Sequence, residues 1–456
     1  MEELRGRSRL PRPVFAKRAM WQPRPSRRSA ASAALLLAAL PMLSALQRCT
    51  SALDCQLNGE CSSAGACACN AGWRGEDCGE LDLLPAKLGP AAYGVGVGSS
   101  VSSWGAGVLR DPSSGAYVMQ VDEMENGCGL GVWSANSRCV LARSTTGPLG
   151  PYERVQTLVD AWCHGSTPAR DPVSGRWVFQ HMGSAAGARA NCTVCGGKGV
   201  TPPDAPQGPC SKDGKVQPYV EGAFVSVGAD PTGPYLSAPG IISGANCENF
   251  FLRNGTLIVA CPWGGHVSNV TDCGSPNQNA FLTVSVADSL AAALAGTYRS
   301  LPLSYAPAGS DAPSAPMCVN WEDQNIWVDA DGHFHTLMHA FRGVNTSFPL
   351  PGCVDNGNGS GFLPARCTSA GGHAFSLDGS RWWISPTRAY TADVAYEDGS
   401  VVSYRARERP HLIVSDGGDA LYFVSAVGDP GPGGNTGVPG EDHSFTLVQQ
   451  LGPGAR

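Results

Sequence analysis

The chain has 456 residues, of which 15% are charged and 42% are hydrophobic. This balance is too apolar for a disordered protein and too polar for one that crosses a membrane many times. The net charge is −6; residues 1–48 carry ten basic and two acidic groups, which leaves 22 basic and 36 acidic groups in the remaining 408 residues. A region with this excess of acidic groups would be repelled by a phosphate backbone, which argues against a nucleic-acid partner.

The N-terminal segment predicts entry into the secretory pathway. Residues 1–29 form a basic segment, and residues 30–46 form an uncharged run rich in Ala and Leu. This order is typical of a signal peptide, although a run of 17 residues that contains Pro41 could also serve as a short signal anchor. The true start could be Met1 or Met20. We expect the residues after Arg48 to be lumenal or extracellular, in a secreted or a type II single-pass membrane protein that meets the membrane only through this segment.

Five N-x-S/T sequons agree with this compartment, and each is expected on the surface if the chain is glycosylated. They are Asn191, Asn254, Asn269, Asn345 and Asn358.

Six of the 18 cysteines lie within 30 residues, in a segment that includes the string NGECSSAGACACNAGWRGEDC. This segment, residues 49–78, resembles an EGF-like domain. The resemblance implies the disulfides Cys49–Cys61, Cys55–Cys67 and Cys69–Cys78. So short a segment cannot bury a sufficient core, and crosslinks would stabilise it instead. The acidic leader of calcium-binding EGF modules is absent, so we expect no calcium there, and a zinc site is disfavoured because the segment has no His. EGF-like modules are mostly spacers or adhesive units, so this module alone does not indicate an activity.

A strand, a tight turn and an alternating strand recur five times after Leu81, with turns such as DPSSG, DPVSG and DADG. These turns are typical of β-hairpins. The repeats begin near Ser103, Ser166, Glu248, Glu322 and Glu408. Five such units predict radial repetition, and we expect an all-β fold in which residues 81–456 form a five-bladed β-propeller. A β-sandwich and a parallel β-helix are the alternatives. One short helix is expected over 288–295.

The string WEDQNIWVDADGHFH, with carboxylates at the head of a strand, resembles the propeller of glycoside hydrolase family 43, the arabinanase and xylosidase enzymes. The resemblance implies a base Asp in blade one, a helper Asp in blade two and an acid Glu in blade three. Glu248 fits the third role. The first two positions lack a carboxylate, because those strand heads read SSWG and STP. A catalytic partner would therefore come from Glu322, Asp323 or Glu408, or from Glu123 or Glu125.

The heads of first strands and the ends of second strands share one face of a propeller, which selects the candidate site. We predict catalytic roles for Glu248, Glu322, Asp323 and Glu408. The residues predicted to bind substrate are Trp104, His164, His181, Trp263, His266, His339 and Arg409. Aromatic rings beside charged groups suit a sugar. Asp111 and Asp171 lie in hairpin turns, which we expect at the opposite rim.

Other interpretations of these residues stay open. Glu322 and Glu408 could close the channel by pairing with Arg409 or Arg342, and Trp104, Trp321 and Trp327 could pack between blades. His333, His335 and His339 could bind a metal, although we expect no metal and no cofactor. Outside the first module, proximity suggests the disulfides Cys128–Cys139 and Cys192–Cys195.

Two functions therefore compete. The first is a glycosidase with an unusual set of carboxylates that acts on a glycan or polysaccharide. The second is a non-catalytic lectin-like or adhesion protein that binds glycans or other extracellular proteins. Two carboxyl groups about 5–10 Å apart around an open pocket would favour hydrolysis, whereas arginine contacts that fill the mouth would favour the interpretation that the glutamates only close the channel.

Overall fold

The structure is a computed structural model, and it describes most of the chain beyond Arg48. The described residues are 49–87, 92–94, 101–124, 130, 133, 137–159, 163–183, 220–238, 240–241, 244–264, 279–280, 282–307, 318–319, 321–340, 371–404, 406–428 and 444–454. Four sheets of four strands and one of five strands form five blades of a β-propeller, which confirms the predicted fold class. Within the described residues, none of the helices has the length and apolar character needed to cross a membrane.

The first described segment is a small cysteine module. Its strands form two short antiparallel pairs, β1 (Gly59–Cys61) with β2 (Cys67–Cys69) and β3 (Trp73–Arg74) with β4 (Glu80–Leu81). The disulfides Cys49–Cys61, Cys55–Cys67 and Cys69–Cys78 are present, as predicted.

Strand β5 (Ala92–Tyr93) precedes the first blade in the chain but belongs to the last. Blade 1 consists of β6 (Ser102–Arg110), β7 (Tyr117–Met124), β8 (Ser137–Ser144) and β9 (Glu153–Val159). Blade 2 consists of β10 (Cys163–Arg170), β11 (Trp177–Gly183), β12 (Val220–Ser226) and β13 (Tyr235–Ser237). The buried turn residues Asp111 and Asp171 cap the β6–β7 and β10–β11 hairpins, because their carboxylates accept hydrogen bonds from the residues that follow.

Blade 3 consists of β15 (Glu248–Phe251), β16 (Leu257–Cys261), β19 (Thr283–Ala287) and β20 (Arg299–Ser300). In the same stretch of chain, β14 (Gly244–Ala245) and β17 (Trp263–Gly264) form a separate two-stranded sheet, and β18 (Asn279–Ala280) precedes β19. The short helix α1 (Leu290–Leu294) follows β19, and Ser289 caps it by accepting a hydrogen bond from the Ala292 N–H. This helix lies inside the range that the sequence predicts.

Blade 4 is the five-stranded sheet, in which the outermost strand is parallel to its neighbour. It contains β21 (Ser304–Pro307), β23 (Trp321–Val328), β24 (Phe334–Ala340), β25 (Gly371–Ser376) and β26 (Arg381–Ile384), while β22 (Cys318–Val319) pairs with β18. A hairpin of β27 (Asp393–Ala395) and β28 (Val401–Ser403) leads to blade 5.

Blade 5 closes the ring with a strand from the other end of the propeller. Its strands β29 (Arg407–Val414), β30 (Ala420–Gly428) and β31 (Ser444–Gln450) are completed by β5, which pairs with β31. This pairing covers an edge that would otherwise be open.

The heads of the innermost strands are bulged, and this shape positions the site. Register shifts follow Ser103, His164, Glu322 and Glu408 in β6, β10, β23 and β29. The bulges place Gly105, Gly165, Asp323 and Arg409 at positive φ. Glycine adopts this conformation freely, whereas it costs another residue about 1 kcal/mol or more. Asp323 and Arg409 therefore hold strained backbone at the channel, a pattern that is typical of functional sites.

The cysteine module packs directly against blades 4 and 5, not at a distance from them. Trp73 stacks on Trp327 of β23, with 6.4 Å between the ring centroids, and also contacts the ring of His373. Gln56 accepts a hydrogen bond from the ring of His373, and Gly72 donates one to the carbonyl of Gly452. Module and propeller thus share one hydrophobic core.

One disulfide expectation is wrong. Cys139 is bonded to Cys163, which joins the third strand of blade 1 to the first strand of blade 2, so it cannot pair with Cys128. A further disulfide, Cys247–Cys261, ties the head of β15 to the end of β16. Cys192–Cys195 lies outside the described residues.

Candidate functional site

Blades 4 and 5 bring three carboxylates and a histidine together at the head of the channel. One oxygen each of Glu322, Asp323 and Glu408 and one ring nitrogen of His339 lie within 4.8 Å of one another. Glu322 pairs with His339 across the β23–β24 ladder, which explains why a strand head and a strand end meet. The side chains of Glu322 and Glu408 keep 13% and 21% of their surface exposed, whereas those of Asp323 and His339 are buried.

Arg409 lies across the channel beside this group. Its Nη1 is 3.0 Å from Asp323 Oδ1 and donates a hydrogen bond to Asn246 Oδ1 at 2.9 Å. Its side chain runs over two glycines: a Cβ on Gly105 would meet Arg409 Cβ at 2.5 Å, and a Cβ on Gly165 would meet Nη1 at 2.7 Å. These two positions therefore need glycine both for their backbone and for the space that the arginine occupies.

The charges and the burial of this cluster shift the pKa values of its four titratable groups in different directions. Burial raises the pKa of Asp323, but Arg409 and His339 outweigh burial and lower it to about 2. Burial and the charge of Asp323 raise the pKa of Glu322 to about 8. Burial also raises the pKa of Glu408. Burial alone would lower the pKa of His339, but Glu408 and Asp323 raise it to about 9.

The balance of charges also indicates that one glutamate of the cluster holds a proton. Three carboxylates face two cations, Arg409 and His339, and Asp323 contacts both of them. One proton on a glutamate makes the group neutral, and Glu322 is the residue whose pKa is raised to about 8. The spacing alone would also suit a metal ion, but Arg409 and His339 already supply the positive charge, so we assign no metal ligands here.

Glu248 has a different environment from the other predicted carboxylates. Its Oε1 accepts a hydrogen bond from Asn325 Nδ2 at 2.7 Å and lies 2.9 Å from Nδ1 of His411. The other ring nitrogen of His411 faces the carbonyl of Val108 at 3.2 Å. Burial raises the pKa of Glu248. These contacts tie blades 3, 4, 5 and 1 together around the channel, and the predicted catalytic role of Glu248 stays a prediction.

Asp122 is a channel residue that the sequence analysis missed. Its carboxylate accepts hydrogen bonds from the backbone N–H groups of Gly165 and Ser166 and from the Ser166 hydroxyl. Burial raises its pKa to about 7, although Arg409 acts in the opposite direction. The neighbouring candidate Glu123 contacts Tyr93, Arg138 and Arg154 instead. The alternation of β7 is the signal that could have separated the two, while Glu125 lies outside the described residues.

The predicted aromatic and histidine residues divide into two sets. Trp104 is buried and forms a side-chain hydrogen bond to Glu408, so it belongs to the cluster. His164 lies 3.5 Å from Asp122 and stacks on Trp133. His181 lies apart from the carboxylates, stacked against Phe179 and Phe224, and burial lowers its pKa to about 4. Trp263 belongs to β17, its side chain is not described, and His266 lies outside the described residues.

A small cavity surrounds the buried part of Arg409. Its walls include Asp122, Gly165, Asn246 and Glu248, and its volume is about 30 Å³. The walls of this cavity include neither Glu322 nor Glu408. A glycan that contacts these two glutamates would therefore bind outside this cavity.

The three histidines of blade 4 do not meet at one place. His333 and His335 both contact Asp329, at 3.1 and 3.3 Å, whereas His339 contacts Asp323 near the other end of β24. A single metal ion bound by all three is thus ruled out by geometry.

The comparisons with known proteins give similarity in structure only. No family model matches the chain, and no curated protein matches it. Among solved structures, the chain is similar to a GH43_1 enzyme from Xanthomonas citri, with 10% identity, 78% of this chain and 90% of that chain covered, and a TM-score of 0.42. It is also similar to an endo-arabinase from Bacteroides thetaiotaomicron, with 11% identity, 80% and 97% coverage and a TM-score of 0.39. A third is an exo-β-1,3-galactanase from Phanerochaete chrysosporium, with 9% identity, 81% and 64% coverage and a TM-score of 0.40. At this low similarity the fold rests on the strand pairing described above.

Proposed function

We propose that the propeller binds glycans at the face that carries Glu322 and Glu408, and that this pair hydrolyses a glycosidic bond. The observation that carries the proposal is the pair itself: two partly exposed carboxyl groups whose oxygens lie within 4.8 Å, one of them with a pKa of about 8. Glycoside hydrolysis needs one protonated and one ionised carboxyl group on either side of the bond.

The roles follow from the protonation states. Glu322 is the general acid that protonates the leaving oxygen, because its pKa keeps the proton on it at neutral pH. We assign Glu408 as the ionised partner that attacks the anomeric carbon, because a single proton, held by Glu322, already makes the group of charges neutral. An oxygen of Glu322 and one of Glu408 lie within 4.8 Å, which is below the separation of about 6.5–9.5 Å that leaves room for a water in inverting enzymes, so we assign a retaining mechanism. In the second step Glu322 takes a proton from water, which then releases the sugar from Glu408.

The test compares Glu322→Gln and Glu408→Gln with the wild type on aryl-glycosides and on arabinan- and xylan-type oligosaccharides. Each variant should lose at least about a hundredfold in turnover, the scale of general acid catalysis, while it still binds the glycan. Glu248→Gln belongs in the same series, because the sequence-based assignment makes Glu248 the acid. If only Glu248→Gln loses turnover, the assignment to Glu322 and Glu408 is wrong.

Non-catalytic glycan binding is the second candidate, and the position of Arg409 favours it. The arginine side chain occupies the channel beside the two glutamates, where it runs over Gly105 and Gly165. Under this alternative the wild type binds a glycan without turnover, and Glu322→Gln changes neither result.

We further propose that the chain enters the secretory pathway and that residues 49–78 are an EGF-like unit. The three disulfides of the module, together with Cys139–Cys163 and Cys247–Cys261, support an oxidising compartment. Residues 30–46, as signal peptide or anchor, lie outside the described residues. Expression with and without residues 1–46 tests the proposal, because only the complete chain should appear in the lumen or the medium.

A further inference from the structure

His339 occupies a special position among the carboxylates. It is fully buried at the end of β24, and its Nδ1 lies 2.6 Å from Asp323 Oδ2. Its Nε2 lies 3.4 Å from Glu322 Oε1 and 4.0 Å from Glu408 Oε2. Both ring nitrogens therefore face carboxylate oxygens, and an imidazolium, which donates from both nitrogens, fits this surrounding better than a neutral ring.

Asp323 fixes the direction of the ring. Asp323 Oδ1 lies 3.0 Å from Arg409 Nη1, and Asp323 Oδ2, which faces His339, also accepts a hydrogen bond from the Arg409 backbone N–H at 3.2 Å. A carboxylate held in this way orients the imidazole, so that Nε2 points between the two glutamates. In the part of the chain that the structure describes, the charged or titratable groups around His339 are Glu322 and Asp323 of β23, Glu408 and Arg409 of β29, and Tyr390. Tyr390 interacts electrostatically with Asp323 and Glu408.

We infer that His339 is a positioning residue, a buried imidazolium held by Asp323 that keeps Glu408 ionised while Glu322 retains a proton. Its catalytic part rests on the proposed hydrolysis by Glu322 and Glu408. The reason is electrostatic: without His339, Arg409 is the one cation left in this cluster among the described residues, and Asp323 already contacts it. Glu408 then loses its nearby positive charge and takes up a proton at a higher pH. His339 itself contacts no substrate in this scheme.

The first test does not depend on activity. Histidine-labelled full-length protein is titrated by NMR, and the resonance of His339 is identified by its loss in His339→Gln. We expect His339 to titrate above pH 7.5, compared with about 6.5 for an unperturbed histidine. A midpoint at or below 6.5 would overturn the inference, whatever the enzyme does.

The second test uses the pH profile of kcat/KM. In His339→Gln the low-pH limb should move up by about one pH unit or more, because Glu408 needs a higher pH to ionise. The matched control is His373→Gln, which removes another buried imidazole of blade 4, next to the cysteine module, and should leave the limb unchanged. A limb that stays in place in His339→Gln, or moves equally in both variants, overturns the inference. If the wild type turns over no glycoside, the proposed hydrolysis fails, and the NMR midpoint alone decides the charge state of His339.

Discussion

Arg409→Gln should destabilise the propeller strongly, and more so at neutral than at acidic pH. The substitution removes the cation that lies 3.0 Å from Asp323, while Gln leaves the carboxylate buried with His339 as its remaining partner. Removal of one member of a buried pair costs about 3–5 kcal/mol. Because His339 stays in place, we expect the lower end, about 3 kcal/mol. The free energy of unfolding is measured in urea at pH 5 and pH 7.5.

The pH dependence has a definite sign. In the wild type the pKa of Asp323 is lowered to about 2, so its stabilisation is present above the unfolded value near 3.8 and is lost only as pH falls through 2. In the variant, burial is opposed by His339 without the side chain of Arg409, so we expect the pKa of Asp323 to rise above its unfolded value and the folded state to lose stability as pH rises toward neutrality. Arg74→Gln is the control, because it removes an exposed ion pair of 3.0 Å with Glu80 and should cost less than about 1 kcal/mol. A loss in Arg409→Gln that is no larger than in this control, or that is equal at both pH values, would refute the reasoning.

Three further outcomes are expected. Asp122 has a pKa raised to about 7, so the stability it contributes is complete below pH 3.8 and is lost as pH rises through 7. Asp122→Asn should remove up to about 4 kcal/mol of this decline in the free energy of unfolding, measured in urea at pH 4 and pH 8. An equal decline in wild type and variant would contradict the assignment. Trp73→Ala should cost about 3–5 kcal/mol and lower the single unfolding transition of module and propeller together, whereas separate transitions would show that the two unfold independently. Asn254 is exposed in the turn between β15 and β16, so protein from a secreting host should lose mass on peptide-N-glycosidase treatment, and Asn254→Gln should lose less; identical mass changes would exclude this site.

The fold could be predicted because its signals are local. Turn strings such as DPSSG and DADG determine where hairpins form, and five hairpins at similar spacing leave few architectures. The closing strand could not be predicted in this way. Ala92 and Tyr93 pair with β31 across more than 350 residues of sequence, and two residues carry no periodicity that would indicate this partner. The docking of the cysteine module was missed for a similar reason, since a buried Trp73 looks the same in sequence whether its partners are near or far.

The grouping of the carboxylates can be predicted where strand heads alone decide it, and it cannot where side-chain direction decides it. Glu322, Asp323, Glu408 and Arg409 were placed at the channel from their positions at strand heads, and the structure groups them with His339. Asp122 and Glu123 were harder, because neighbouring residues of a strand point to opposite sides and the bulge after Ser103 changes the register against β6. A shift of one residue in such a region exchanges the channel carboxylate Asp122 for Glu123, which is buried against Tyr93 of β5.

The cysteine module and the site are connected by the strands that they share. β23 carries Trp327 against the module at one end and Asp323 in the cluster at the other. β24 repeats this arrangement, since His335 stacks on Trp327 while His339 faces Asp323. The disulfides hold a segment too small for a core of its own against the two blades that supply the charges of the cluster. A strained residue such as Asp323 keeps its conformation only where the surrounding structure over-determines it. The module packs against Trp327 on the same strand as Asp323, so its contacts add to the packing that holds this strand in place.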